Sequence, residues 1–191
     1  VVLGLFILVA KAFPEAMPNR VDTWTSRIQN FMDPEDTKED YQIEKAKIAI
    51  ATGSIYGLGP GKSIQKNFLP QSSSDFIFAI IIEEYGLIGG LFLLTLYLLL
   101  LFRIVIVAQK ADSVFGKLLT IGVGLPIVFQ ALINMGVAVE LFPVTGQNLP
   151  LISSGGTSIW VTCLAIGIVL SVSAKREEIR NQQGDEQHPL E

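Results

Sequence analysis

Thiols and imidazoles are almost missing from this 191-residue chain: Cys163 is its single cysteine and His188 its single histidine. No intramolecular disulfide can form, and neither residue has companions at metal-ligand spacing. A nucleophile elbow, a Walker-type phosphate loop and a dinucleotide fingerprint are absent as well. Any chemistry must therefore rest on carboxylates and on positioning. Charge is scarce too: 17% of residues are charged while 50% are hydrophobic, a balance too apolar for an ordinary soluble domain. The net charge of −4 leaves no basic face for nucleic acid.

What charge there is comes in blocks. All 14 Lys and Arg fall between Lys11 and Lys66, between Arg103 and Lys117, or between Lys175 and Arg180. Between and around these blocks, Tyr85 to Phe102, Leu118 to Val139 and Leu141 to Ala174 carry no charge at all. Each can supply the roughly 20 residues that cross a bilayer core. Val1 to Ala10 is equally apolar but too short to span, and it lacks the basic start and the cleavage site of a signal peptide. It reads as the end of a further helix, in a chain that begins mid-protein. Cys163 is expected to be a packed helix residue.

The fold class predicted is all-α, a polytopic transmembrane helix bundle with a long extracytoplasmic loop. Arg103, Lys110 and Lys117 mark one short connection, and Lys175, Arg176 and Arg180 mark the tail, so both are expected on the cytoplasmic side. The connection from Glu140 to Gly155 has no Lys or Arg and is expected outside. The predicted order is a partial membrane helix over 1–13, a large outer loop over 14–74, and a membrane helix over 75–107. A cytoplasmic loop over 108–117, a membrane helix over 118–139 and an outer loop over 140–155 come next. A membrane helix over 156–173 and a disordered acidic tail over 174–191 complete it. The large outer loop holds helix-like stretches at Trp24 to Met32 and Tyr41 to Ala51, then breakers at Gly53, Gly57, Gly59, Pro60 and Gly61. It is expected to fold back on the outer membrane surface.

Asp75 is the most informative position, because it follows the polar run Gln71 to Ser74 and immediately precedes the apolar run Phe76 to Ile82. A carboxylate at the mouth of a membrane helix can be a helix N-cap or a general base at the water–lipid boundary. Glu83 and Glu84 follow at a depth of roughly 12 Å along a helix. Carboxylates there must face a polar cavity, meet donors or be protonated, which makes them functional candidates as well as candidates for helix–helix contact. Gln130 and Asn134 share one helix face and could satisfy one of those glutamates, and Pro126 is expected to kink their helix. The uncharged stretch Pro143 to Ser158 suits the wall of a wet cavity, and its Gly and Ser N–H groups entering a helix suit an anion.

Taken in order, these segments resemble the FtsW/RodA/SpoVE (SEDS) family. The resemblance runs through Tyr41-Gln42, Ala49 to Gly53, Gly57 to Lys66, Leu69-Pro70, Ser74 to Ala79, Glu83 to Gly86, Gln130 to Asn134 and Pro143 to Ser158. Gly59 to Ser63 and Gln65-Lys66 look more like the division branch than the elongation branch. Ser154 departs from the tyrosine usual before the Gly-Gly pair, and Ser74 replaces the threonine common in the elongation branch. The resemblance implies about four helices of a ten-helix bundle in the bacterial inner membrane at the division septum. It implies a peptidoglycan glycosyltransferase that polymerises lipid II beside a class B penicillin-binding protein and other division proteins.

The family's essential carboxylate maps onto Asp75, here the expected base. Lys66, Lys62 and Lys45, with Lys47 nearby, are the expected receivers of the lipid diphosphate. Ser74, Gln65, Glu83, Glu84, Ser153, Gly155 and Gly156 are the other expected substrate-side residues. No protein metal site is expected, although a divalent cation, Mg2+ or Mn2+, could share the charge of the diphosphate. Two other functions fit the same residues: a flippase whose path is lined by Glu83, Glu84, Gln130 and Asn134, and a non-catalytic scaffold in which Asp75 is dispensable.

Overall fold

The computed structural model of the protein describes Arg27 and residues 38–69 and 74–187. The expected partial helix over 1–13, the stretch Trp24 to Met32 apart from Arg27, and His188 lie outside the described residues. Among the described residues the chain is all-helical: α1 Lys38–Gly53, α2 Ile77–Lys110, α3 Val114–Ala138 and α4 Gly156–Gln187, with a single 3-10 turn at Gln65–Asn67. Three stretches are long and apolar enough to cross a membrane, namely Ile77–Lys110, Val114–Ala138 and Gly156–Ala174. These are the three spans that the uncharged runs predicted.

Helix ends follow local chemistry. Ser113 caps α3 by accepting from the Gly116 N–H at 3.0 Å, so the turn after α2 shrinks to residues 111–113 in place of the ten-residue loop over 108–117. α3 holds Pro126 inside one continuous helix, and α2 is broken at Gly86. α4 does not stop at the membrane edge. It continues to Gln187 where disorder was predicted, because Lys, Arg, Glu and Gln are good helix formers once a preceding span has nucleated the helix.

α3 packs between α2 and α4, and α1 lies along the first part of α2. Small residues allow close approach of the spans: a Cβ on Gly124 would stand 2.8 Å from Ile104, and one on Gly116 3.2 Å from Val172. At the other end, Ala46 and Ala49 of α1 pack on Phe76, Ala79 and Ile80 of α2, with Leu69 and Val137 completing the cluster. α1 is therefore docked on the first part of α2. A second cluster, centred on Phe78, Ile82, Tyr97, Ala131 and Leu149, joins α2, α3 and the connection between α3 and α4. Tyr97 donates from its hydroxyl to the Pro150 carbonyl, tying that connection to α2. Cys163 lies in α4 but is exposed, so it is not the packed residue expected.

The break in α2 is built by tertiary hydrogen bonds. Gly86 has φ 73° and ψ −176°, outside helical geometry. Leu87 N–H donates to the Ser54 carbonyl at 2.9 Å and Ile88 N–H to the Ile55 carbonyl at 3.4 Å. In return the carbonyls of Glu83 and Glu84 accept from Leu58 and Gly59 N–H, both at 2.9 Å. The loop after α1 thus supplies the partners that an unbroken helix would have provided itself. A side chain at Gly86 would collide with the Ile55 carbonyl, and one at Gly53 with the Ile82 carbonyl.

Candidate functional site

Asp75 sits half-buried at the end of the bundle where α1, the start of α2 and the connection between α3 and α4 meet. It is not the helix cap: Phe76 takes that position, with φ −107° and ψ 16°, and no side chain caps it. The Asp75 carboxylate instead lies 2.6 Å from the Ser74 hydroxyl. That hydroxyl is also 2.7 Å from the Asn148 side-chain oxygen. A hydroxyl has one proton to donate, so one arrangement satisfies both contacts: the Asn148 amide turned to donate its N–H to Ser74, and Ser74 donating to Asp75.

The backbone around Asp75 is held by buried amides and hydroxyls. Asn134, 1% exposed on α3, donates to the Asp75 carbonyl at 2.8 Å and to the Gln147 carbonyl at 2.6 Å. Gln130, one turn earlier, donates to the Asn148 carbonyl at 3.0 Å. The Ser153 hydroxyl donates to the Ser74 carbonyl at 2.6 Å and accepts from Leu149 N–H at 2.8 Å. Gln130 and Asn134 therefore bind the 147–148 backbone and Asp75, not a glutamate as the sequence suggested. Ser153 holds the same framework from inside. Gly155 leaves room for Asn148, since a Cβ there would come 2.8 Å from the end of its side-chain amide, whereas a Cβ on Gly156 would meet nothing within 4 Å.

Beside the carboxylate the site opens into a polar cleft of about 310 Å³ lined by Gln130, Gly146, Gln147, Asn148, Thr157 and Ser158, with Val161 at its apolar edge. Gly146 links cleft and carboxylate: the point where its Cβ would stand is 3.7 Å from Asp75 Oδ2 and 3.9 Å from Arg27 Nη1. Arg27 thus brings a fixed positive charge to the same glycine as the Asp75 carboxylate. Asn148 and Arg27 escaped the sequence reading, because neither occupies a distinctive pattern and only the folded connection carries them to Asp75.

Glu83, the first of the two deep glutamates, belongs to a second cluster. It is 0% exposed and meets donors from the loop after α1: the Ser63 hydroxyl, Ile64 N–H at 3.1 Å, and Gln65 N–H at 3.3 Å to each carboxylate oxygen. Glu84 is half-buried. Gln65 is half-buried with a side-chain carbonyl that has no partner, and Lys62 and Lys66 stand exposed on the same turn. Lys45 lies over the Tyr41 ring at 5.1 Å and the Phe68 ring at 6.0 Å, and Lys47 pairs with Glu140 at 2.6 Å. Among the described residues no group of three or more His, Cys, Asp or Glu side chains could hold a metal ion.

Comparison with known proteins assigns the chain to a family. The family model described as "Cell cycle protein", for FtsW, RodA and SpoVE, matches residues 1–178. A protein named probable peptidoglycan glycosyltransferase FtsW from Hydrogenovibrio crunogenus is 42% identical over 168 residues, covering 84% of this chain and 43% of the relative. Its namesake in Halothiobacillus neapolitanus is 38% identical over 189 residues, covering 95% and 44%. Stage V sporulation protein E of Bacillus subtilis is 40% identical over 157 residues, covering 82% and 42%. The chain spans less than half the length of these curated relatives.

Proposed function

The chain belongs to the FtsW, RodA and SpoVE family of cell cycle proteins and most resembles FtsW, and from that premise we propose that it carries the catalytic carboxylate of a peptidoglycan glycosyltransferase active in cell division. The substrate is lipid II, drawn from the membrane in which the three spans lie. The observation that carries this reading is the Asp75 carboxylate, which caps no helix, is fixed through Ser74, Asn134 and Ser153, and stands beside an uncharged polar cleft.

In the proposed reaction Asp75 accepts the proton of an acceptor sugar hydroxyl. The freed oxygen forms a bond to the anomeric carbon of the second substrate, while the bond from that carbon to the lipid diphosphate breaks. The proton stays on Asp75 and the electron pair leaves with the diphosphate. Amides and hydroxyls of the cleft suit the hydroxyl-rich, uncharged sugar. Lys62 and Lys66, exposed on their turn, suit the departing diphosphate, and Arg27 adds a third positive charge nearer the base. A Mg2+ or Mn2+ ion would depend on the diphosphate for most of its ligands, since no described cluster is built to hold one. The site is taken to face outward at the division septum of the inner membrane, where a class B penicillin-binding protein would cross-link the strands.

The flippase reading needs Glu83, Glu84, Gln130 and Asn134 to line a path through the bilayer. Three of these side chains, those of Glu83, Gln130 and Asn134, bind loop backbone instead. A glycan-polymerisation assay and a lipid-flipping assay on one preparation of the full-length protein separate the readings. The expected result is polymer without flipping. Flipping without polymer would overturn the proposal, and polymer that survives loss of Asp75 would favour a scaffold.

A further inference from the structure

Ser63, Ile64 and Gln65 direct a hydroxyl and two successive backbone N–H groups at one point, a geometry that makes an anion site in many proteins. Here the anion is the chain's own: the Glu83 carboxylate fills the nest completely, with both oxygens engaged and no exposure. The contact extends one residue further, because the Ser63 hydroxyl that donates to Glu83 also accepts from Lys66 N–H at 3.1 Å. The same stretch of α2 holds the preceding loop through the carbonyls of Glu83 and Glu84. Loop 54–66 is therefore clamped twice, once across the break at Gly86 and once by the Glu83 side chain.

We infer that Glu83 is a positioning residue, an internal anion that shapes the 63–66 turn so that Lys62 and Lys66 are presented to the diphosphate, and that it does not itself touch substrate. The diphosphate role rests on the function proposed above; the clamp itself does not. Three features carry the inference. Glu83 has no exposed surface with which to meet a ligand. The nest it fills is closed to any other anion. The two lysines flank the turn it holds and both are exposed. A carboxylate facing a path or a substrate would instead leave at least one oxygen open to solvent. Glutamine at position 83 keeps the size but replaces one accepting oxygen with a donor, which faces the Ser63 or Gln65 donors and opens the turn.

The test uses the full-length protein in lipid nanodiscs, in two arms. The first is backbone hydrogen exchange without substrate. Residues 63–66 are expected to be protected in the wild type and to exchange about tenfold faster in Glu83→Gln and in Ser63→Ala, with residues 130–153 unchanged. The second is polymerisation kinetics on lipid II. Glu83→Gln is expected to raise KM about tenfold with kcat within about twofold, and the double variant with Lys66→Ala is expected to be no worse than Lys66→Ala alone. Additive losses, or a fall in kcat with KM and exchange unchanged, would overturn the inference. If Glu83→Gln fails to reach the membrane, Ser63→Ala decides the same question without touching the carboxylate. A protected turn in a wild-type protein that makes no polymer would sink the polymerase reading alone; polymer from a protein whose turn is unprotected would sink the clamp alone.

Discussion

Asn134 carries more of the site than its neutral side chain suggests. Its amide nitrogen is the donor for two carbonyls, those of Asp75 and Gln147, in a place without water access. Asn134→Leu fits the volume but leaves both carbonyls without that donor, at a cost of about 1–3 kcal/mol each. Thermal unfolding of the purified protein should show the loss, and the polymerisation rate should fall with it; an unchanged melting temperature would mean the two carbonyls find other donors. Lys47→Ala should behave differently. Its partner Glu140 is 38% exposed and Lys47 itself 55%, so the pair contributes less than about 1 kcal/mol and its loss should leave melting nearly unchanged. At this scale Asp75 was legible because a lone carboxylate separates a polar run from an apolar one. The partners of Asp75 were not, since Gln130 and Asn134 show only a shared face in sequence, and which groups that face meets depends on how residues 146–153 fold.

At the scale of elements, the three spans could be read directly, because long uncharged apolar runs have few alternatives to crossing a bilayer. The break in α2 could not. Glycine is common in membrane helices, and nothing around Gly86 separates a broken helix from a straight one; the break exists because loop 54–59 supplies the missing hydrogen bonds. The tail was misread for the opposite reason: composition argued for disorder, while continuity with α4 argued for helix, and the second prevails to Gln187. Gly86→Ala tests the break. Its φ of 73° with ψ −176° is a conformation essentially confined to glycine and costs about 1–3 kcal/mol in an L residue, and the added methyl collides with the Ile55 carbonyl. The variant should lose hydrogen-exchange protection over residues 54–66 while α3 stays protected; full protection of the loop would show that the break does not depend on glycine.

At the scale of the whole molecule, Arg27, α1, Asp75 and the 139–155 connection gather at one end of the bundle, and the short 111–113 turn lies at the other. By the charge rule that turn is expected on the cytoplasmic side and the Asp75 end outside. Single-cysteine labelling checks this in a cysteine-free background of the full-length protein, Cys163→Ser included. Tyr56→Cys, at a position 83% exposed, should react with a membrane-impermeant maleimide in intact cells, and Asp112→Cys only after lysis. The reverse pattern would place the carboxylate on the wrong side for lipid-linked glycan assembly. The rate of lipid II polymerisation by the full-length Asp75→Asn protein, assayed with a class B penicillin-binding protein added, reaches the central claim most directly. Loss of polymer from a protein that still folds and inserts is the result predicted, and polymerisation at the wild-type rate would contradict it.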